Sequence, residues 1–185
     1  MTKRALIAVD IQNDYFPGGK WALHNMEAAA DNAAQLLNKA RSQGDLVVHV
    51  RHEFPTAEAP FFAPGSEGAQ IHEKVKNIDK EAVVVKHQIN SFRDTNLKEL
   101  LDAAKVKDVT ICGAMSHMCV DAITRAAHDF GYNVTVVDDA CASRDLEFNG
   151  KTIAANEVHA AYMAALGFAY AKVICTKDYL ATVPV

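Results

Sequence analysis

The sequence predicts an α/β protein in which a six-stranded parallel sheet carries helices on both faces, three layers in all. Three observations predict it. Short apolar runs alternate with longer alanine- and leucine-rich stretches of helical period, six times along the chain. The apolar runs are continuous rather than alternating, as strands covered on both faces require. Asp10, Lys86 and Cys119 each follow the end of such a run, at the carboxyl edge where open α/β sheets place their sites.

Taken in order, Ala5–Val9 is the first apolar run, and it ends in Asp10. Asp10 fits a cap or a site residue equally well, and Asp14 in the following loop reads as a structural acid. The loop closes on Pro17-Gly18-Gly19, a turn signal. Met26–Ser42 has helical periodicity and stops at Gly44. Leu46–Val50 is the second strand. A long loop from Phe54 to Gly68 follows, with Pro55, Pro60, Pro64 and the pair Phe61-Phe62. Long irregular loops in compact domains are usually functional, and this one covers a pocket or packs on a partner subunit. His49 and His52 lie three apart on a strand, so their side chains point to opposite faces. They read as structural or substrate-facing histidines rather than metal ligands.

Ala82–Val85 is the third strand and runs into Lys86. Thr95 reads as the N-cap of a helix reaching Ala104. Val109–Cys112 is the fourth strand, and Val120–Phe130 a helix closed by Gly131. Asn133–Val137 is the fifth strand, and 140–149 reads as a loop. Gly150–Leu166 is an alanine-rich helix closed by Gly167, and Ala171–Cys175 the sixth strand. The tail from Asp178 carries no signal. No domain boundary, repeat or low-complexity segment divides 1–185, so a single domain is expected.

Cys119 falls where the fourth strand has ended and a helix begins. Backbone N–H groups of a first helical turn are unpaired and favour an anion. A thiol there is expected to ionise below the ordinary range of about 8.5. The same N–H groups can receive the oxyanion of an acyl-transfer intermediate. The other thiols, Cys112, Cys141 and Cys175, read as small hydrophobes. Lys86, held at the same edge, can stabilise a carboxylate and a thiolate together.

Composition narrows the function classes. Hydrophobic residues make up 50% of the chain and charged ones 23%, which supports a full core rather than disorder. The net charge is −4 with no basic run, so a nucleic-acid partner is not expected. No apolar stretch has the length of a membrane span, and the start reads as a strand, not a signal peptide. The four cysteines form no C-x-x-C and match no zinc spacing, so reduced thiols in a cytoplasmic protein are expected, with no metal and no cofactor.

Four stretches together resemble the isochorismatase-like cysteine hydrolases. They are Ala8-Val9-Asp10-Ile11-Gln12-Asn13-Asp14-Tyr15-Phe16-Pro17-Gly18-Gly19, Lys86 at its strand end, Ser91-Phe92-Arg93-Asp94-Thr95-Asn96-Leu97, and Gly113-Ala114-Met115-Ser116-His117-Met118-Cys119-Val120. The resemblance runs from Ala5 to about Tyr179 and implies a Rossmann-like fold. It further implies a catalytic triad of Asp10, Lys86 and Cys119, an oxyanion hole from the Met115 and Cys119 N–H groups, and a cis peptide joining Ala114 to Met115. Phe16, Trp21, Phe54, Phe61, Asn90 and His117 are the pocket candidates around the triad. The Asp-x-His metal motif of nicotinamidases is absent from Val50–Pro55, so that activity is not expected.

The implied function is hydrolysis of a small C–N, amide-type substrate through a thioester. One alternative is vinyl-ether hydrolysis of the isochorismatase type, with Asp10 as the acid. Another is a non-catalytic binding module. The resemblance implies a homodimer or homotetramer. A parallel sheet of order 3-2-1-4-5-6 would put the Lys86 strand two places from the Asp10 strand, a gap of about 10 Å.

Overall fold

The computed structural model describes residues 3–182. Met1, Thr2 and residues 183–185 lie outside them, and with them the reading of the first residues and the end of the tail. The elements are β1 (Lys3–Val9), α1 (Met26–Gln43), β2 (Leu46–His52), β3 (Ala82–Lys86), α2 (Leu97–Ala103), β4 (Val106–Ala114), α3 (Asp121–Asp129) and β5 (Asn133–Ala142). After them come β6 (Leu146–Phe148), β7 (Lys151–Ile153), α4 (Ala155–Ala169), β8 (Lys172–Ile174) and α5 (Thr176–Thr182). The main sheet is six-stranded with the order β3-β2-β1-β4-β5-β8, and every pairing in it is parallel.

The alternation of side chains along β1 shows why both faces need cover. Leu6 and Ala8 pack with α1 and with Tyr179 of α5, while Ala5, Ile7 and Val9 pack with residues of α2, α3 and α4. The α1 face that meets the sheet is Met26, Ala29, Ala30, Ala33, Leu36, Leu37 and Ala40, spaced three and four apart as one helical stripe. Gly44 ends α1 in the left-handed conformation, φ 69°, and its N–H reaches the Ala40 and Arg41 carbonyls. Among the described residues no helix is long and apolar enough to cross a membrane.

Four local expectations are corrected. The 140–149 stretch is not a loop: β5 runs on to Ala142, and β6 and β7 form an antiparallel hairpin. Its turn is Asn149-Gly150, with φ of 51° and 73°, the residue pair that a two-residue hairpin turn favours. Consequently α4 starts at Ala155, where Asp145 accepts the free Ala155 N–H at 2.7 Å. Gly167 does not close α4 but lies within it, and a Cβ there would meet Val173 Cγ2 at 3.4 Å. Thr95 is not the N-cap of α2, which is Asn96; its hydroxyl donates to the Ser91 carbonyl at 2.6 Å and accepts the Leu97 N–H at 3.3 Å. α5, Thr176–Thr182, takes in the start of the tail, where the sequence carries no signal.

Gly113, near the end of β4, has φ 126°, and a Cβ on it would run into the Val9 carbonyl oxygen. The bare backbone lets β4 close on β1 one residue before Asp10. Gly113→Ala is therefore expected to cost more than about 3 kcal/mol in urea unfolding. Gly44→Ala, with open space around it, should cost only about 1 kcal/mol.

Candidate active site

Four neighbouring strands each deliver one polar side chain to the same carboxyl edge. In the spatial order β3-β2-β1-β4 these are Lys86, His52, Asp10 and Cys119. Lys86 is the last residue of β3 and His52 the last of β2, and the two are register partners. Asp10 follows β1 directly. Its backbone is left-handed, φ 51°, a conformation that Asp tolerates better than most residues, and its N–H donates to the Val50 carbonyl at 2.9 Å. The chain thereby turns off the sheet with the carboxylate aimed inward.

Cys119 was expected at the opening of a regular helix. It lies instead in a π-helical turn, Ser116–Val120, between the cis Ala114-Met115 peptide and α3. Single π turns recur at functional sites because they re-aim side chains within a helix. The Met118 and Val120 N–H groups donate to the Met115 carbonyl.

Lys86 is wholly buried and joins the group. Its Nζ lies 2.8 Å from Asp10 Oδ2, 3.2 Å from Cys119 Sγ and 3.0 Å from His52 Nδ1. The gap of two strands is thus spanned by the extended lysine side chain. An ammonium has three N–H groups and accepts nothing, so each one here has an acceptor. His52 Nδ1 must accept, which places the ring proton on Nε2. Burial, reinforced by the Lys86 charge, pushes the His52 pKa down to about 4 and keeps the ring neutral. Burial alone would lower Lys86 as well, but Asp10 and Cys119 outweigh it and hold the lysine above its ordinary value.

The thiol departs from the sequence reading. Cys119 is only 4% exposed, and burial followed by the Asp10 charge raises its pKa, with Lys86 opposing. The first-turn effect that was expected to lower it is outweighed by desolvation. At neutral pH the resting group is a thiol beside a carboxylate and an ammonium. Such a set can move one proton from sulfur to Asp10 while Lys86 stays in contact with both.

The 54–68 segment packs on its own chain. Phe54 meets His52 edge-on at 4.6 Å between centroids and Phe61 at 5.1 Å, and Trp21 stacks on Phe61 at 4.7 Å. Tyr15 and the buried Phe62 complete this aromatic wall, 4.5 Å apart. Asp14 is a structural acid as expected, accepting the Phe62 N–H at 2.7 Å and the Lys20 N–H at 3.2 Å. Trp21, Phe54 and Phe61 thus form one run of ring contacts that begins at His52.

The other pocket candidates make contacts of their own. Phe16 is corrected: it stacks on His72 at 3.5 Å and lines a groove of about 910 Å³ that contains none of Asp10, Lys86 and Cys119. Asn90 spends its side-chain oxygen on the Phe92 N–H at 3.0 Å, within its own turn. His117 bonds Ser143 Oγ through Nδ1 at 2.8 Å and is half-buried. His49 is structural, buried against Glu81 at 3.0 Å. Among the described residues no three His, Cys, Asp or Glu side chains gather as a metal ion would need.

Sequence reasoning missed the bond from His52 to Lys86 because it ended the second strand at Val50, whereas β2 runs on to His52. It also missed Gln12, buried and clamped in both directions to the His52 backbone at 2.8 Å, and Tyr15. The Tyr15 phenol is raised well above its ordinary value by burial first and then by the Cys119 and Asp10 charges.

A parallel α/β sheet that joins an acid, a lysine and a cysteine at its carboxyl edge accords with a hydrolase. The isochorismatase domain model matches residues 4–176, and the chain belongs to the isochorismatase family. It is 49% identical to YddQ, an uncharacterised isochorismatase family protein of Bacillus subtilis, over 95% of this chain and 98% of that one. A crystal structure from Oleispira antarctica, assigned to the isochorismatase hydrolases, superposes with a TM-score of 0.94 at 57% identity, covering 97% of each chain. Maleamate amidohydrolase of Pseudomonas putida is 31% identical over 77% of this chain and 73% of that one.

The depressed His52 value has a sign that stability measurements can read. Between about 4 and 6.5 the unfolded chain binds the proton that folded His52 refuses, so stability is full above 6.5 and is lost as pH falls toward 4. The loss is on the order of 3 kcal/mol over that window. His52→Gln, which keeps an acceptor but does not titrate, should flatten the pH dependence of the urea midpoint there. An unchanged slope would contradict the assignment.

Proposed function

We propose that the chain is a cysteine-nucleophile hydrolase of small C–N, amide-type substrates, acting through Asp10, Lys86 and Cys119 and a thioester acyl-enzyme. The observation that carries the reading is the buried Lys86 ammonium in contact with both Asp10 and Cys119, at 2.8 and 3.2 Å. The likeness to an amidohydrolase supports the bond class.

In this reading Asp10 takes the Sγ proton as sulfur attacks the acyl carbon, because the buried thiol does not ionise by itself at neutral pH. Negative charge moves onto the substrate oxygen, which the Met115 and Cys119 N–H groups receive. Protonated Asp10 then gives its proton to the leaving nitrogen, the C–N bond breaks, and the acyl group remains on sulfur. Water gives a proton to Asp10 and adds to the thioester. Sulfur leaves and regains the proton. Lys86 holds a positive charge against each anion in turn.

On a panel of short primary amides, Cys119→Ala should abolish turnover. Asp10→Asn and Lys86→Ala should each lower kcat/KM by roughly a thousandfold or more. A Cys119→Ala enzyme with normal turnover would end the nucleophile assignment. If Asp10→Asn were inactive in that same case, the chemistry would be acid catalysis by Asp10.

A further inference from the structure

Lys86 reaches Asp10 by crossing β2, the strand between β3 and β1, and His52 stands at the end of that strand. His52 is fixed from several directions. Gln12 clamps its backbone both ways at 2.8 Å, Phe54 meets the ring edge-on at 4.6 Å, and the Phe62 ring lies at 6.3 Å. Nδ1 is therefore held in one place beside the ammonium, 3.0 Å from Nζ.

The three acceptors of Lys86 differ in what the proposed chemistry does to them. Asp10 gains a proton as Cys119 loses one, so both change charge at the moment Lys86 must hold them. His52 takes no part in that transfer and changes neither charge nor tautomer. A lysine ammonium rides on a flexible four-carbon stem. With two changing partners alone, Nζ would follow whichever is anionic; a third, constant bond keeps it between them.

A second proton on the ring would reverse Nδ1 from acceptor to donor and set two cations 3.0 Å apart. Burial first and the Lys86 charge next keep the ring neutral. Asp10 favours the charged ring, His87 opposes it, and the Gln88 backbone favours it. Beside His52 in the chain, Arg51 and Glu53 pair with each other at 3.0 Å. Cys119 lies beyond Lys86, on the far side of Nζ.

We propose that His52 is a positioning residue for the nucleophile: its neutral Nδ1 anchors Lys86 between Asp10 and Cys119 throughout the proton transfer, and protonation of the ring releases that anchor and lowers the reactivity of Cys119. This rests on the Asp10, Lys86 and Cys119 reading for the path of the proton. It does not need an amide substrate.

The test is iodoacetamide alkylation of Cys119 in the full chain from neutral to acid pH, with circular dichroism confirming the fold at each pH. In wild type the rate should fall in a step near 4, where the ring takes its proton. His52→Asn puts a carbonyl oxygen where Nδ1 stands and does not titrate. It should react at neutral pH within about threefold of wild type and lack the step. His52→Leu fills the space without an acceptor and should react roughly tenfold more slowly, or worse, at neutral pH. Nitrogen NMR of the isotope-labelled wild type needs no variant, and should find the His52 proton on Nε2 with Nδ1 bare. The same acid step in wild type and His52→Asn would overturn the proposal. So would equal slowing of His52→Asn and His52→Leu, a His52→Leu protein as reactive as wild type, or a proton on Nδ1 at neutral pH. Failure of the amidase reading appears separately, as amide turnover by Cys119→Ala or none by wild type, and leaves these rates intact.

Discussion

A buried ammonium is the constraint from which the rest of this site follows. Moving an unpaired charge out of water costs far more than the net stability of a domain. Lys86, with no exposed surface, is tolerable only because Asp10, Cys119 and His52 take its three N–H groups. Those partners come from the ends of β1 and β2 and from the turn after β4, so the sheet order is part of the site. Each strand ends where its side chain is needed: β3 at Lys86, β2 at His52, β1 just before Asp10, and β4 just before the turn that carries Cys119. The bare backbone of Gly113, the left-handed Asp10 and the two-way clamp of Gln12 are the local devices that hold these ends in place.

The same burial sets the protonation states. It raises Cys119 and lowers His52, and it would lower Lys86 too, were Asp10 not at 2.8 Å. A free thiolate is therefore not the resting nucleophile. The proton has a short path to Asp10, and Lys86 keeps the local charge nearly constant while it moves. Neutral His52 matters for the opposite reason: a second cation 3.0 Å from Lys86 would oppose the arrangement.

Much of the architecture was legible because it rests on local patterns. Continuous apolar runs marked the strands, and three-four spacing marked α1. The strand-end positions of Asp10, Lys86 and Cys119 pointed to one edge. What the sequence did not disclose depends on distant partners. Asp145 caps a helix ten residues on, and Lys86 reaches across a whole strand to Asp10. His52 was read as a structural or substrate-facing histidine with no partner assigned, so its bond to a lysine 34 positions away went unread. The β6–β7 hairpin is a different case: Asn149-Gly150 was a readable turn signal, masked by treating 140–149 as one loop. The direction of the Cys119 shift was misjudged because a helix start is visible in sequence and depth of burial is not.

The most direct test of the central claim is alkylation of Cys119 by iodoacetamide as a function of pH, read by peptide mass mapping in wild type and Asp10→Asn. The coupled arrangement predicts labelling of wild-type Cys119 at neutral pH far faster than that of Cys112, which is also buried and whose thiol burial pushes up to about 12. In Asp10→Asn it predicts a changed rate and a changed pH profile, because the substitution removes both the proton acceptor and a charge that raises the thiol. Equal rates and equal pH profiles in the two proteins would show that Asp10 does not take the thiol proton, and the account of the site would fail.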